Sequence, residues 1–332
     1  MTPAQLSRTV LRAVHRAVAD GELGAVRGST ELPQRVTVES PPRRGIGDYA
    51  VSVAFGLAGP AAMTPYDVAR VLRVGLLRED GIHAVEIAGC GFLNVTLDAR
   101  ARARLVAELS RPSPQSAATA DAEPRTEPQP RPKPQTGPVP GTSPQTATRT
   151  PAEDHPVADT PVEDHPVADT PVEDHPVTDT PAADIAHWSA ATGDAPAALA
   201  VRTAQASPLF RVQYAHARAR ALSRNACDLG FRGDPDAATE AGPAYGPTGD
   251  ALLALLADHR RVSEQPDPAR HARHLVAVGE AFFDFHDQYP PLPCGDEKPG
   301  AAHRARLALV EATGTVLAGG LTQLGVSAPA HL

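Results

Sequence analysis

Seventeen of the chain's 35 prolines fall between Pro112 and Pro181, and one compact globule cannot absorb such a run. Proline offers no backbone N–H and clashes with the geometry of helix interiors and central strands. The same stretch holds almost no Leu, Ile, Phe or Tyr. It cannot bury enough apolar surface to offset the entropy of ordering a chain. Residues 112–183 therefore read as a disordered Pro-rich linker. Within it, PAEDHPVADT, PVEDHPVADT and PVEDHPVTDT form a decapeptide repeat from Pro151 to Thr180. Its His155, His165 and His175 permit two readings, a metal-binding tract or an extended, self-repelling spacer. A flexible tether of about 70 residues spans roughly 45 Å, and proline and like charge stretch it further. The expectation is that it sets no fixed orientation between the segments it joins.

Those segments, residues 1–111 and 184–332, are each long enough for a small core. Charge divides along the same boundaries. Residues 1–111 carry 14 Arg against 11 acidic groups, a net of +3, whereas the linker carries −8 and residues 184–332 carry −3. The chain's acidity thus sits in the linker and does not argue against an RNA-binding face on a folded end. Cys90, Cys227 and Cys294 form no CxxC pair, so no zinc site or disulfide framework is indicated. No apolar run approaches a signal peptide or the ~18 residues of a membrane span, and a cytoplasmic protein without a membrane partner is expected.

Residues 3–20 repeat apolar side chains every four positions (Leu6, Val10, Val14, Val18), which predicts an amphipathic helix. Val36-Thr37-Val38 alternates like a short strand. Thr64-Pro65 is a helix start ahead of Val68, Val71, Leu72 and Leu76. Val85 and Ile87 begin a strand, Gly89-Cys90-Gly91 interrupts it, and Leu93, Val95 and Leu97 alternate onto one face. Strands and helices mixed in so short a span predict an α+β domain. The C-terminal segment reads as an all-α helical bundle of four helices. The first runs from Val212 through Ala215, Ala219, Leu222, Ala226 and Leu229 to a stop at Gly230. The second is capped by Asp250, the third covers about Ala269 to Asp287, and the fourth ends at Gly325.

Three segments carry a resemblance. SPLFRVQYAHARARALSRNACDLG contains Val-Gln-Tyr-Ala-His-Ala-Arg at Val212–Arg218 without a gap. RARLALVEATGTVLAGGLTQLGVSAP lies at residues 304–329. GDYAVSVAFGLAG and VEIAGCGFLNVTL lie at 47–59 and 85–97, with Cys90 at the usual place of a proline. The first two resemble the DALR-type anticodon-binding bundle of arginyl-tRNA synthetases, and the third resembles that family's N-terminal domain. They follow the family's order and cover nearly all of both ends.

The resemblance also implies a Rossmann-type catalytic domain between the ends, and the residues for it are missing. No His-x-Gly-His occurs, and the two lysines, Lys133 in RPKPQ and Lys298 in DEKPG, suit no ATP-binding loop. Without those groups nothing stabilises charge on the α-phosphate during adenylate formation. The expectation is a paralogue with no catalytic, metal or cofactor-binding residues, which binds tRNA, foremost tRNA-Arg, and does not aminoacylate it alone. Two alternatives stand beside it. One is a protein-interaction module whose RNA role has decayed. The other is the non-catalytic half of a split ligase, partnered by a separately encoded synthetase.

By the resemblance, contacts to the tRNA D-loop fall on Phe92 and Asn94. Alternation puts both on the face opposite Leu93, Val95 and Leu97, where a ring stacks on a splayed base and an amide reads its edge. The competing reading packs Phe92 beneath a helix and ties Asn94 to backbone. In the bundle, Arg211 and Arg218 lie one heptad apart and suit phosphates or plain solvation. Tyr214 and His216 belong to the signature and serve either RNA or internal packing. His286 completes the candidate RNA-binding set. Departures cluster there. Arg211 replaces an aromatic, Phe283-Asp284-Phe285-His286 replaces His-x-Phe-Tyr, Tyr289-Pro290-Pro291 replaces Cys-Arg-Val, and Ala330-His331-Leu332 replaces Glu-Arg-Met. The resemblance therefore implies weakened anticodon reading on an intact fold.

Overall fold

The computed structural model describes residues 1–24, 26, 32–41, 47–111, 181–242 and 244–332. The linker reading falls on residues 112–180, outside those described, as do the repeat histidines. Its last three residues do not belong to it, because Pro181 opens a helix.

The N-terminal end is an antiparallel sheet backed by helices. Helix α1 (Pro3–Ala19) starts at a reciprocal cap, Thr2 Oγ1 accepting from Gln5 N–H and Gln5 Oε1 accepting from Thr2 N–H. It buries Leu6, Val10, Ala13 and Val14. Strands β1 (Val38–Glu39), β2 (Tyr49–Val51), β3 (Ile82–Ala88) and β4 (Phe92–Leu97) lie in the order β1-β2-β4-β3. The first strand starts two residues later than expected. Val36 is buried, but its N–H and C=O are both taken by the Ser7 hydroxyl. Helices α2 (Val53–Ala61) and α3 (Pro65–Leu76) follow β2, and α3 is capped by Thr64 as expected. Helix α4 (Ala99–Leu109) follows β4 and is capped by Asp98.

The C-terminal end is helical: α5 (Pro181–Thr192), α6 (Pro196–Leu199), α7 (Pro208–Asp228), α8 (Gly246–Ser263), α9 (Pro268–Gln288) and α10 (Ala301–Gln323), with a 3₁₀ turn at Pro235–Thr239. Helices α5 and α6 were not expected. Gly230 ends α7 at φ +78° and Gly325 follows α10 at +73°, positions that favour glycine. Two local expectations fail. Asp250 is not a cap, since α8 begins at Gly246. Leu229 lies beyond the last buried turn and is exposed.

The largest departure from the sequence reading concerns the two ends. Most of their buried apolar side chains belong to one contiguous core, and α4 lies against the 3₁₀ turn, α8 and α10. Arg102 of α4 pairs with Asp48 at 3.1 Å and with Asp250 of α8 at 3.0 Å. Thr315 Oγ1 of α10 reaches Ser110 C=O. The expectation of no fixed orientation is corrected: the ends are docked, through contacts that a linker composition could not reveal.

In the bundle, His259 of α8 stacks beside His271 and His274 of α9, ring centroids 5.3 and 5.7 Å away. His259 Nδ1, His271 Nε2 and His274 Nε2 are buried and have no hydrogen-bond partner among the described residues. Burial, then the neighbouring imidazoles, push His259 down to about 3. Burial pushes His274 down to about 4, against the pull of Asp258, and lowers His271. An unfolded histidine titrates near ~6.5, so the unfolded chain takes up protons first. The stability these neutral rings contribute is complete above that value and is lost as pH falls toward the folded values. The urea midpoint should drop between pH 7.5 and 5.5, and the drop should shrink in His274→Leu. Equal midpoints across that range in the unmodified chain would refute the assignment.

Candidate nucleic-acid interface

Phe92 opens β4 directly after the turn Gly89-Cys90-Gly91, whose ends are fixed by the pairing of Ala88 with Phe92. Gly91 has φ +151°, and a Cβ there would lie 2.9 Å from Pro65 C=O. Only glycine lets the turn sit against the start of α3, and this seats Phe92. The Phe92 ring is 46% exposed. It does not pack beneath a helix; it meets Phe55 of α2 at 4.8 Å between centroids, inclined by 57°. Phe55 is itself 39% exposed. Sequence reasoning missed Phe55, although Val53, Ala54, Leu57 and Ala58 are buried around it, and that pattern turns position 55 away from the core. Asn94 behaves differently. It is 4% exposed, between Ala50 of β2 and Glu86 of β3, so its amide is enclosed while Phe92 is open.

In the bundle, α7 is drawn close to two neighbours by small residues. A Cβ on Gly279 of α9 would touch Ala215, and one on Gly314 of α10 would touch Ala219. The α7–α9 contact then runs in parallel register: Arg211 beside Glu280, Tyr214 beside Phe283, Arg218 beside His286. Tyr214 is exposed and lies between Phe210 and Phe283, with centroids 5.9 and 5.6 Å away and near-parallel planes. The arginine of Arg218–His286 can only donate, so His286 Nε2 accepts at 3.4 Å and the ring proton sits on Nδ1, 3.3 Å from Asp287. The structure thus gathers Tyr214, Arg218 and His286 on one surface.

Arg211 and His216 are placed otherwise. Arg211 pairs with Glu280, donates from Nε to Ala204 C=O at 2.6 Å and reaches Gln205 C=O. Its guanidinium is committed to its own loop. His216 is 5% exposed, and its Nδ1 donates to Pro329 C=O at 3.0 Å. Burial holds its pKa below the usual histidine value. Of the two readings left open for His216, packing holds. Gln213 of the same signature is also internal: its Nε2 donates to Asp184 Oδ2 at 2.9 Å and to Ser327 C=O at 3.1 Å. Among the described residues, no three metal-binding side chains are arranged to hold an ion, and no helix is long and apolar enough to cross a membrane.

Comparison with known proteins identifies both ends of the chain. The model of the arginyl tRNA synthetase N terminal domain matches residues 4–97, and that of the DALR anticodon binding domain matches residues 212–332. The chain carries the N-terminal and DALR domains of the arginyl-tRNA synthetase family. The arginine–tRNA ligase of Kineococcus radiotolerans is 48% identical over 105 residues, covering 32% of this chain and 19% of that protein. That of Frankia alni is 48% identical over 97 residues, covering 29% and 17%. The match therefore spans less than a fifth of each relative. A putative arginyl-tRNA synthetase structure from Campylobacter jejuni aligns with TM-score 0.32 and 16% identity, over 41% of this chain and 29% of that one.

One buried carboxylate holds the DALR domain's far ends together. Asp184, 3% exposed, accepts from Gln213, from Ser327 N–H at 2.8 Å and from the Ser327 hydroxyl. It ties α5, α7 and the C-terminal tail. Asp184→Ala leaves the Ser327 N–H without its acceptor and takes one of two partners from the Gln213 amide, which keeps Ser327 C=O. Hydrogen bonds to a charged group contribute about 1.5–3 kcal/mol, so a loss of at least ~2 kcal/mol is expected in a denaturant titration. A change within error of zero would show that the tie does not hold the tail.

Proposed function

We propose that this chain binds tRNA, tRNA-Arg foremost, through surfaces on both domains and without aminoacylating it alone. The observation that carries the reading is the state of its two signature aromatics. Both are exposed: Phe92 meets one tilted ring, Phe55, which leaves a face for a stacked base, and Tyr214 is held at the rim within the stack of Phe210 and Phe283. A ring held in place loses little entropy when a base stacks on it, and such stacking is tolerant of sequence. The N-terminal domain is net positive, which suits a polyanion. Because Asn94 is enclosed, the proposed contact on the N-terminal domain rests on Phe92 and Phe55.

The non-catalytic part of the proposal rests on residues. Only 98–211 lie between the two matched segments, and most of that interval is the Pro-rich tract. Neither Lys133 nor Lys298 has the setting of an ATP-binding lysine, and no His-x-Gly-His is present. ATP–pyrophosphate exchange with arginine should stay at the level of a no-enzyme control. Exchange above it would remove this half of the proposal.

The tRNA half is tested by titration at fixed salt. A base–aromatic stack is worth ~1–3 kcal/mol by alanine substitution, so Phe92→Ala should weaken binding at least several-fold. Arg211→Ala should do less, because that guanidinium is already satisfied by Glu280 and the Ala204 carbonyl. Equal affinity of Phe92→Ala and the unmodified chain would sink the assignment.

A further inference from the structure

Helix α4 buries a wide side, with Ala101, Ala103, Leu105 and Val106 all enclosed, and the reason lies in what it touches. One side faces its own domain. Ala101 and Leu105 are buried there, and the Met1 amine donates to Ala101 C=O at 2.6 Å. A second stripe holds Ala99, Ala103, Val106 and Ser110 at spacings of four, three and four, with Arg102 beside it, four residues before Val106. Arg102 meets Asp250 of α8, and the Ser110 carbonyl meets Thr315 of α10. Ala103 and Val106 between them are fully buried. Small side chains on the stripe let the helix approach closely, as Ala and Gly do between α7 and its neighbours.

The charge at the seam is arranged in advance. Asp48 accepts from Leu97 N–H at 2.7 Å, so β4 fixes its carboxylate. Asp48 in turn takes Nε and Nη2 of Arg102. That leaves Nη1 aimed out of the N-terminal domain, at Asp250. A planar guanidinium serves two carboxylates at once from separate, fixed edges, a geometry the point charge of a lysine does not impose. Asp250 is partly buried and its pKa is raised by that burial, with Arg102 opposing. The seam also encloses a cleft of about 320 Å³ between Thr96, Asp98 and Tyr245.

We infer that the Arg102 seam closes the two domains into one body without help from the linker, so that RNA meets both aromatic surfaces as a single unit of fixed geometry. The partner of the α4 stripe is this chain's own bundle. The second part of the inference rests on the proposed tRNA reading; the first does not. A fixed pair of contacts behaves as one bivalent ligand, with an effective concentration set by the seam and not by the length of the tether. Arg102 and Asp250 are then positioning residues that touch no RNA.

The test uses the full chain with a protease site inserted within residues 112–180, cut after purification. The two halves should co-elute in gel filtration as one species of about the uncut mass, 34.6 kDa, and bind tRNA within ~3-fold of the uncut protein. Separation into two species on cutting would overturn the inference. Asp250→Arg sets a cation against Arg102 and disturbs no bond within the N-terminal domain. Its cut halves should separate, and its tRNA affinity should fall at least ~10-fold once cut, while circular dichroism of the uncut variant stays unchanged. If instead they co-elute, and those of Thr315→Arg do too, the seam is not held where we place it. Co-elution with no tRNA affinity would leave the seam standing and remove the tRNA reading. Retained affinity with separated halves would do the reverse.

Discussion

The Arg102 guanidinium decides how the rest of the molecule is arranged. It is 22% exposed and lies between Asp48, 8% exposed, and Asp250, 37% exposed. A buried carboxylate such as Asp48 is costly unless paired and hydrogen-bonded. Here the Leu97 amide and Arg102 together supply its partners. The Gly47-Asp48-Tyr49-Ala50 signature is thereby explained in structural terms. Asp48 organises the end of β4 and the first turns of α4, and the Tyr49 hydroxyl donates to Met1 C=O at 2.9 Å. Neither residue needs to touch a ligand for its chemistry to matter. Because β4 also carries Phe92 at its other end, the pairing that anchors α4 is joined by a single strand to the exposed ring.

The bundle follows a second constraint, the closeness of α7 to its neighbours. With Ala215 against Gly279 and Ala219 against Gly314, the long side chains on either side of these contacts have little room. Those that fit inward become structural, as Gln213 and His216 do. Those at the rim splay outward, as Tyr214 and Arg218 do. A larger residue at 279 or 314 would push the helices apart and break the register that sets Tyr214 beside Phe283. The exposed surface is thus a consequence of the interior packing, and the stack of Phe210, Tyr214 and Phe283 is as rigid as the helix pair beneath it.

Much of this was legible beforehand. The α+β and all-α ends follow from residue spacing, as do the Thr64 cap, the Gly230 stop and the core face of β4. The failures share a cause: each turns on a partner distant in sequence. Arg211 reads as a free phosphate ligand until Glu280 and the Ala204 carbonyl are brought to it. Asn94 reads as a polar surface residue until β2 and β3 flank it. The segment ARARARLVAEL received no reading from its sequence, and only the carboxylates at 48 and 250 give Arg102 its inward role. Phe55 was the recoverable miss, since the burial pattern of its own helix already turns it outward.

Electrostatics completes the argument about how such a surface grips RNA. Several arginines are engaged within the protein. Arg12 and Arg16 share Glu79, Arg102 bridges two aspartates, Arg211 holds Glu280 and Arg261 holds Asp258. A cation already paired releases few counterions when a phosphate approaches, because its charge is largely compensated beforehand. Phosphate contacts dominate the salt dependence of RNA binding, and stacking contributes little to it. A protein that spends its arginines on its own fold and leaves aromatic rings exposed therefore shifts recognition from the charge of the backbone to the faces of unpaired bases. Duplex stems offer charge but hide their base faces, whereas loops offer both. On the proposed tRNA reading, selectivity for looped over duplex RNA would follow from these ion pairs, of which Arg102–Asp250 also joins the two domains.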